Sequence, residues 1–275
     1  MKRFLLATIA LGLAVSGFSQ TDTTATEKAD TIRVGGMIII KKGDNRDTTR
    51  ERHITINSRK KKRPTNVSTN WFIIDLGFSN FDDKTNYASA ETQAFAPGSD
   101  EDLFKLRNGK STNVNIWIFM QKMNMIKHVV NLKYGLGLEL NNYRFSDERI
   151  KFERNPTMIT RDETWKGIDK NKLAADYLTV PLMLNFNFTP QRKQGFGLSA
   201  GVSGGYLYSA RQKIKDGGKK SKTKDDFDLN QWKLSYIGEV NMGPLKLYGS
   251  YATKSMWEKG LDQTPYNVGI RFGHW

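Results

Sequence analysis

No cysteine occurs among the 275 residues. Disulfides, thiolate metal sites, lipid attachment at a cysteine and cysteine nucleophiles are all excluded. Histidine is scarce, and His53, His128 and His274 are scattered with no metal-ligand spacing. No apolar run reaches the ~18 residues that a membrane-spanning helix needs, and mean hydropathy is −0.58. A polytopic helical membrane protein is thereby excluded. A transmembrane β-barrel is not, because its strands alternate apolar and polar residues and average out as hydrophilic.

What the chain has in excess is positive charge. Forty-three Lys and Arg face 28 Asp and Glu, for a formal charge of +15. Such a balance suits an acidic partner, either nucleic acid or an anionic membrane. The N-terminus decides between them. Residues 1–20 read MKRFLLATIALGLAVSGFSQ. Lys2 and Arg3 are followed by the apolar stretch Phe4 to Val15, and Gly17 and Ser19 are small at −3 and −1 of a cut before Gln20. This is the pattern of a secretory signal peptide over 1–19. An exported protein meets no genome, so nucleic acid is not an expected partner.

Residues 20–66 differ in character, being rich in Thr, Lys and Arg. Two β-prone runs, Thr31 to Lys42 and His53 to Asn57, flank the polar stretch GDNRDTTRER, which suggests a small hairpin. Arg59 to Arg63 (RKKKR) is five consecutive positive charges followed by Pro64. That reads as a solvated linker, or as an anchor for anionic lipid headgroups or an acidic periplasmic partner.

From Trp71 onward the chain alternates with period two, the signal of β-strands. In His128 to Asn141 one face carries Val130, Leu132, Tyr134, Leu136, Leu138 and Leu140, and the other Asn131, Lys133, Gly135, Gly137, Glu139 and Asn141. The same division recurs in Trp71–Asn80, Asn113–Gln121, Tyr177–Phe188, Gly195–Tyr208, Gln231–Asn241, Pro244–Ala252 and Tyr266–Gly273. In the second of these, Val114, Ile116, Ile118 and Met120 form the apolar face, while Trp117 and Phe119 interrupt the polar one. Most of the eight strands are 9–14 residues long, and ~9–11 residues suffice to cross a bilayer with tilt.

Connection lengths alternate as well. Long segments (Phe81–Thr112, Asn142–Asp176, Ser209–Asn230, Thr253–Pro265) are interleaved with short ones (Lys122–Lys127, Thr189–Gln194, Met242–Gly243). Outer-membrane barrels have short periplasmic turns and long extracellular loops, so both termini fall on the periplasmic side. Tyr206, Tyr208, Trp232, Tyr251 and Tyr266 lie at the predicted outer strand ends, and Phe72, Phe188, Phe196 and Phe272 at the inner ends, as two interfacial girdles would. The expected fold is all-β: an eight-stranded antiparallel transmembrane β-barrel over 67–275 behind a short N-terminal periplasmic segment, 20–66. On this facing, Leu136→Arg should cost roughly 2–4 kcal/mol, and Gly135→Ser should be milder.

The run YLTVPLMLNFNF with GFGLSAGVSGGYLY (Tyr177 to Tyr208), the long polar loop and the ending YNVGIRFGHW resemble the small outer-membrane β-barrel proteins of Bacteroidetes-type bacteria, the porin-like, PorT-type group. The lead-in TIRVGGMIIIKKGD is similar to the periplasmic lead-in of some members. The resemblance covers Trp71 to Trp275. It implies a Gram-negative outer membrane and insertion by the barrel assembly machinery, with outer-membrane lipid around the wall. Such barrels end on an aromatic in the lipid-facing register, and Trp275 is one residue off the register of Tyr266, Val268, Ile270 and Phe272. Either a bulge restores it or Phe272 serves instead.

Six ionisable residues fall on the polar, lumen-facing positions: Asp75, Lys133, Glu139, Lys233, Glu239 and Arg271. An eight-stranded barrel is only wide enough for side chains to fill, so these groups must pair or be solvated. They form either a structural salt-bridge plug or a gated polar path for a small solute. Gly201-Val202-Ser203-Gly204-Gly205 matches the G-x-S-x-G nucleophile elbow, but it lies inside a predicted strand and not at the strand–turn–helix junction which that motif needs. Asn108-Gly109-Lys110-Ser111 looks like the tail of a phosphate-binding loop, yet Phe104 stands where its first glycine would be. No cofactor, metal or catalytic residue is expected. The sequence favours a non-enzymatic barrel that binds a partner through its loops or tail. A lipid- or peptide-modifying enzyme and a narrow solute pore are the alternatives.

Overall fold

A computed structural model of the chain describes residues 30–34, 37–41 and 65–275, apart from 166, 193–194 and 274–275. Two units are present, Met1–Arg63 and Pro64–Trp275. In the first, Asp30–Val34 and Met37–Lys41 pair antiparallel, with Asp30 opposite Lys41 and Val34 opposite Met37. The first β-prone run therefore folds back on itself. His53–Asn57 and Arg59–Arg63 lie outside the described residues, as do Trp275 and the signal sequence.

The second unit contains eight long strands: β1 (Val67–Asp83), β2 (Thr112–Ile126), β3 (Val130–Arg144), β4 (Lys170–Asn187), β5 (Phe196–Asp216), β6 (Trp232–Met242), β7 (Leu245–Ala252) and β8 (Gln263–Phe272). Each pairs antiparallel with the next, and β8 pairs with β1, so the ring closes without an edge. Short connections join β2 to β3, β4 to β5 and β6 to β7, and long ones the rest. The β2–β3 turn carries Lys127 and His128 at φ 46° and 59°, closed by Val129 N to Ile126 O at 2.8 Å. Two positive φ values in a two-residue turn give the twist that an antiparallel pair requires.

The apolar faces point outward. Ile74, Leu76, Phe78, Leu178, Val180, Leu182, Val268 and Ile270 are all exposed, while Asp75, Ser79, Asn131, Thr179, Ser199 and Asn267 are buried in the lumen. Strict alternation is broken toward the short-turn end on both β1 and β2. On β1, Phe72 has φ 55°, and both Trp71 and Phe72 lie on the outer face. On β2 the pairing with β3 slips between Trp117 and Phe119. A one-residue slip moves every later side chain to the other face. Met120, expected outside, is therefore fully buried in the lumen, and Phe119, expected inside, packs on the outer wall against Trp71 at 6.0 Å.

The long connections are not merely polar loops. Helix α1 (Ala90–Phe95), capped by Ser89 Oγ accepting from Thr92 N at 3.2 Å, and a hairpin of Ile150–Glu153 with Met158–Arg161 close over the end of the ring. Phe95, Phe104, Phe145, Phe152, Phe227 and Trp257 form the centre of their shared apolar core. Phe152 lies 5.4 Å from Phe227 and stacks on Trp257 at 6.1 Å. Each such ring removes about 150–250 Å² from water, which explains why loops of 10 to 30 residues hold one arrangement. Tyr143, Leu173, Tyr177 and Leu207 of the wall continue this core into the barrel mouth.

Candidate functional site

Below that cap the lumen narrows onto polar side chains that period-two alternation points inward. Asp75 on β1 and Arg271 on β8 face each other across the closing seam. Arg271 donates twice to Asp75, Nε to Oδ1 at 2.6 Å and Nη2 to Oδ2 at 2.8 Å, the two-pronged geometry that suits a guanidinium. Its remaining Nη1 reaches Glu239, and Lys133 reaches the same carboxylate. Lys233 pairs with Glu139 across the lumen. Three acids and three bases thus meet in two joined sets, one of Asp75, Arg271, Glu239 and Lys133, the other of Lys233 and Glu139. All six are buried or nearly so.

Neutral partners complete the network. Trp117 Nε1 donates to Asp75 Oδ2 at 2.7 Å, and Asn115 Nδ2 donates to the same oxygen at 3.2 Å. Asn267 and Asn141 donate to Glu139 Oε1 at 3.1 and 3.2 Å. Lys233 Nζ sits 4.6 Å above the Tyr177 ring, and the Arg271 guanidinium 5.6 Å from Trp117. Tyr248 donates to Asn113 nearer the cap. Of these, Trp117 and the asparagines are legible as lumen positions from period two alone. Tyr177 shares the parity of Thr179, but a register shift against β5 falls between Asp176 and Tyr177, where both residues are buried.

The network is sandwiched. Toward the short turns it rests on Ile73, Trp117, Met120 and Met183, a compact apolar layer inside the ring. Toward the long loops it meets Tyr177 and the cap core. The space left among Asp75, Glu139, Glu239 and Arg271 is ≈ 30 Å³, room for about one or two waters. A wider cavity of ≈ 190 Å³ opens at the short-turn end, lined by Lys122, Lys133, Asn185, Asn187, Arg192 and Asn241.

Ser203 lies buried within β5, in mid-strand. It is not on an elbow. Asn108–Lys110 forms one short 3-10 turn in the β1–β2 connection. Among the described residues no group of His, Asp and Glu is placed to hold a metal ion.

An all-antiparallel ring of eight strands, apolar without and charge-paired within, defines a membrane-spanning β-barrel. The family model for the outer membrane protein beta-barrel domain matches residues 74–253, from mid-β1 to just past β7, and the chain belongs to that family. No curated protein matches the chain. Among solved structures, the crystal structure of Ail, the attachment invasion locus protein of Yersinia pestis, is similar at 13% identity and TM-score 0.30, over 74% of this chain and 98% of that one.

Proposed function

We propose that this outer-membrane protein is a non-enzymatic, plugged barrel that binds partners through its capped long-loop surface or its N-terminal tail, with both termini in the periplasm. The filled interior carries this reading. The charges at its waist are mutually paired, the remaining space holds a water or two, and apolar layers lie above and below. A solute path needs a continuous wet route, and an ion entering here would have to displace buried ion pairs. An enzyme of the outer rim needs a nucleophile beside a base, whereas Ser203 sits in mid-wall. The sequence likeness to PorT-type barrels agrees with a Gram-negative outer membrane but names no partner. The basic run Arg59–Arg63 suits an acidic periplasmic partner or inner-leaflet headgroups, since a Lys or Arg at the bilayer centre costs several kcal/mol.

Planar-bilayer recording with the mature protein tests the plug. The expected result is a silent membrane at moderate voltage, with conductance appearing when Glu139→Ala and Lys233→Ala are combined. A steady conductance from the unaltered protein overturns the reading. Deleting residues 20–63 behind the signal peptide should leave a folded, heat-modifiable barrel and abolish capture of any periplasmic partner.

A further inference from the structure

Two strands rise above the aromatic girdle. β4 starts at Lys170, well above Tyr177, and β5 runs on to Asp216, well above Tyr208. The strand Lys219–Lys224 then turns back along β5. Directly opposed residues of paired strands share a face. Register puts Lys170, Lys215 and Lys220 in one row, and Lys172, Lys213 and Lys222 in the next. Arg211 opposes Lys224 in the row below. The intervening Asn171, Leu173 and Gln212 are buried toward the cap. The cations therefore face sideways and outward, in line with the lipid-facing Leu178, Val180 and Tyr206 further down the same strands.

Neighbouring strands lie about 4.8 Å apart, and like charges directly opposite one another are destabilising. Among the described residues, two carboxylates reach this face: Asp176 on Arg211 at 2.5 Å and Asp169 on Lys215 at 3.5 Å. Eight cations against two acids leave six in excess. Lys172, on the part of β4 that stands above the girdle and outside the membrane, is pushed down to about 8 by burial and by Lys170, Lys213 and Arg211. Such a ladder lacks its counter-charge.

We infer that this face seats the phosphate groups of the lipids packed around the barrel. The direction of the rows selects lipid over a soluble polyanion. They do not point up into solvent. They continue the wall on which acyl chains lie, so a lipid with its chains against Leu178 and Val180 carries its phosphate past Tyr206 and Tyr208 to the base of the rows. The inference rests on the barrel being embedded with that girdle at the interface, which fractionation and heat-modifiability check separately.

The test places mature protein in nanodiscs of phosphatidylcholine with a minor share of phosphatidylglycerol and measures the phosphatidylglycerol kept per protein by native mass spectrometry. Wild type should enrich it. The triple variant Lys213→Gln, Lys215→Gln, Lys222→Gln should lose that enrichment, with affinity falling about fivefold per charge removed. Lys84→Gln, Lys105→Gln, Lys110→Gln, on another loop, should keep it. If the first triple does not fold, Lys222→Gln alone, on the exposed outer strand, serves the same comparison. Equal retention by the patch and control variants overturns the inference. So does capture of dextran sulfate by this patch in pure phosphatidylcholine discs without selection of phosphatidylglycerol.

Discussion

Arg271 and Asp75 are directly opposed across the β8–β1 seam, 196 positions apart in the chain, and are joined by two hydrogen bonds of 2.6 and 2.8 Å. The pair ties the last strand of the barrel to the first at the level where the lumen is most charged. Removing one member strands a buried charge, at a cost of about 3–5 kcal/mol. Arg271→Gln should cost that much, because it leaves both Asp75 and Glu239 short of a cation. Asp75→Asn combined with Arg271→Gln should cost less than the sum of the two single changes. Urea titration of the barrel in detergent micelles, followed by tryptophan fluorescence, measures the coupling, and strict additivity would show that the seam pair contributes nothing of its own.

The slip on β2 predicts the facing of two adjacent positions. Because the chain has no native cysteine, single cysteines report cleanly. Phe119→Cys should react with a membrane-partitioning maleimide in vesicles and Met120→Cys should stay protected. Unbroken alternation from Val114 requires the opposite order.

Gly135 corrects the expectation drawn from facing alone. It does face the lumen, yet a Cβ there would press on the carbonyl oxygen and Met120 of the neighbouring strand. Gly135→Ser is therefore not mild; a forced shift of β2 against β3 costs about 1–3 kcal/mol. Gly238 is its control, since a Cβ there meets only Ser199 O, at 3.8 Å. Gly238→Ala should stay within about 0.5 kcal/mol of wild type. Unfolding midpoints of the two variants decide.

Outside the membrane, Asp147 ties the base of the cap hairpin. It accepts from Arg149 Nε and Nη2 at 3.0 Å and from Arg161 Nε at 2.9 Å. Partial burial pushes its carboxyl up, but the Arg149 hydrogen bonds and the charges of Arg149 and Arg161 outweigh this, and its pKa falls below the ordinary carboxylate value. A lowered carboxyl stabilises the folded cap fully above the unfolded pKa of about 3.9 and loses that contribution as pH falls through the lowered value. Protease resistance of the cap should hold from neutral pH to about pH 4 and weaken below it, and Asp147→Asn should flatten that dependence. A cap equally resistant at pH 2 and pH 7 would contradict this role.

The wall of the barrel is written in the sequence because a bilayer demands one residue type at every second position, and Leu132 to Leu140 or Leu178 to Phe188 obey it without exception. The six lumen charges are legible for the same reason. Their partners are less so, because Lys133 and Glu239 meet across the lumen from strands 106 positions apart, and no local pattern records such a meeting. Period two alone puts Met120 on the wrong face, because a bulge leaves no mark when both faces are locally apolar, as at Trp117 to Met120. The cap is not legible in the sequence for a similar reason: Phe95, Phe145, Phe152, Phe227 and Trp257 are dispersed among polar residues with neither helical nor strand periodicity, and only the ring brings them together.

The proposed orientation in the outer membrane puts the long loops outside and the short turns in the periplasm. Labelling of intact cells with a membrane-impermeant maleimide tests this most directly. Glu101→Cys sits exposed in the β1–β2 connection, and Gln191→Cys sits exposed in the β4–β5 turn. Glu101→Cys should label on intact cells, while Gln191→Cys and Ser58→Cys should label only after the outer membrane is permeabilised. Labelling of Gln191→Cys or Ser58→Cys from outside, with Glu101→Cys silent until permeabilisation, would contradict the account.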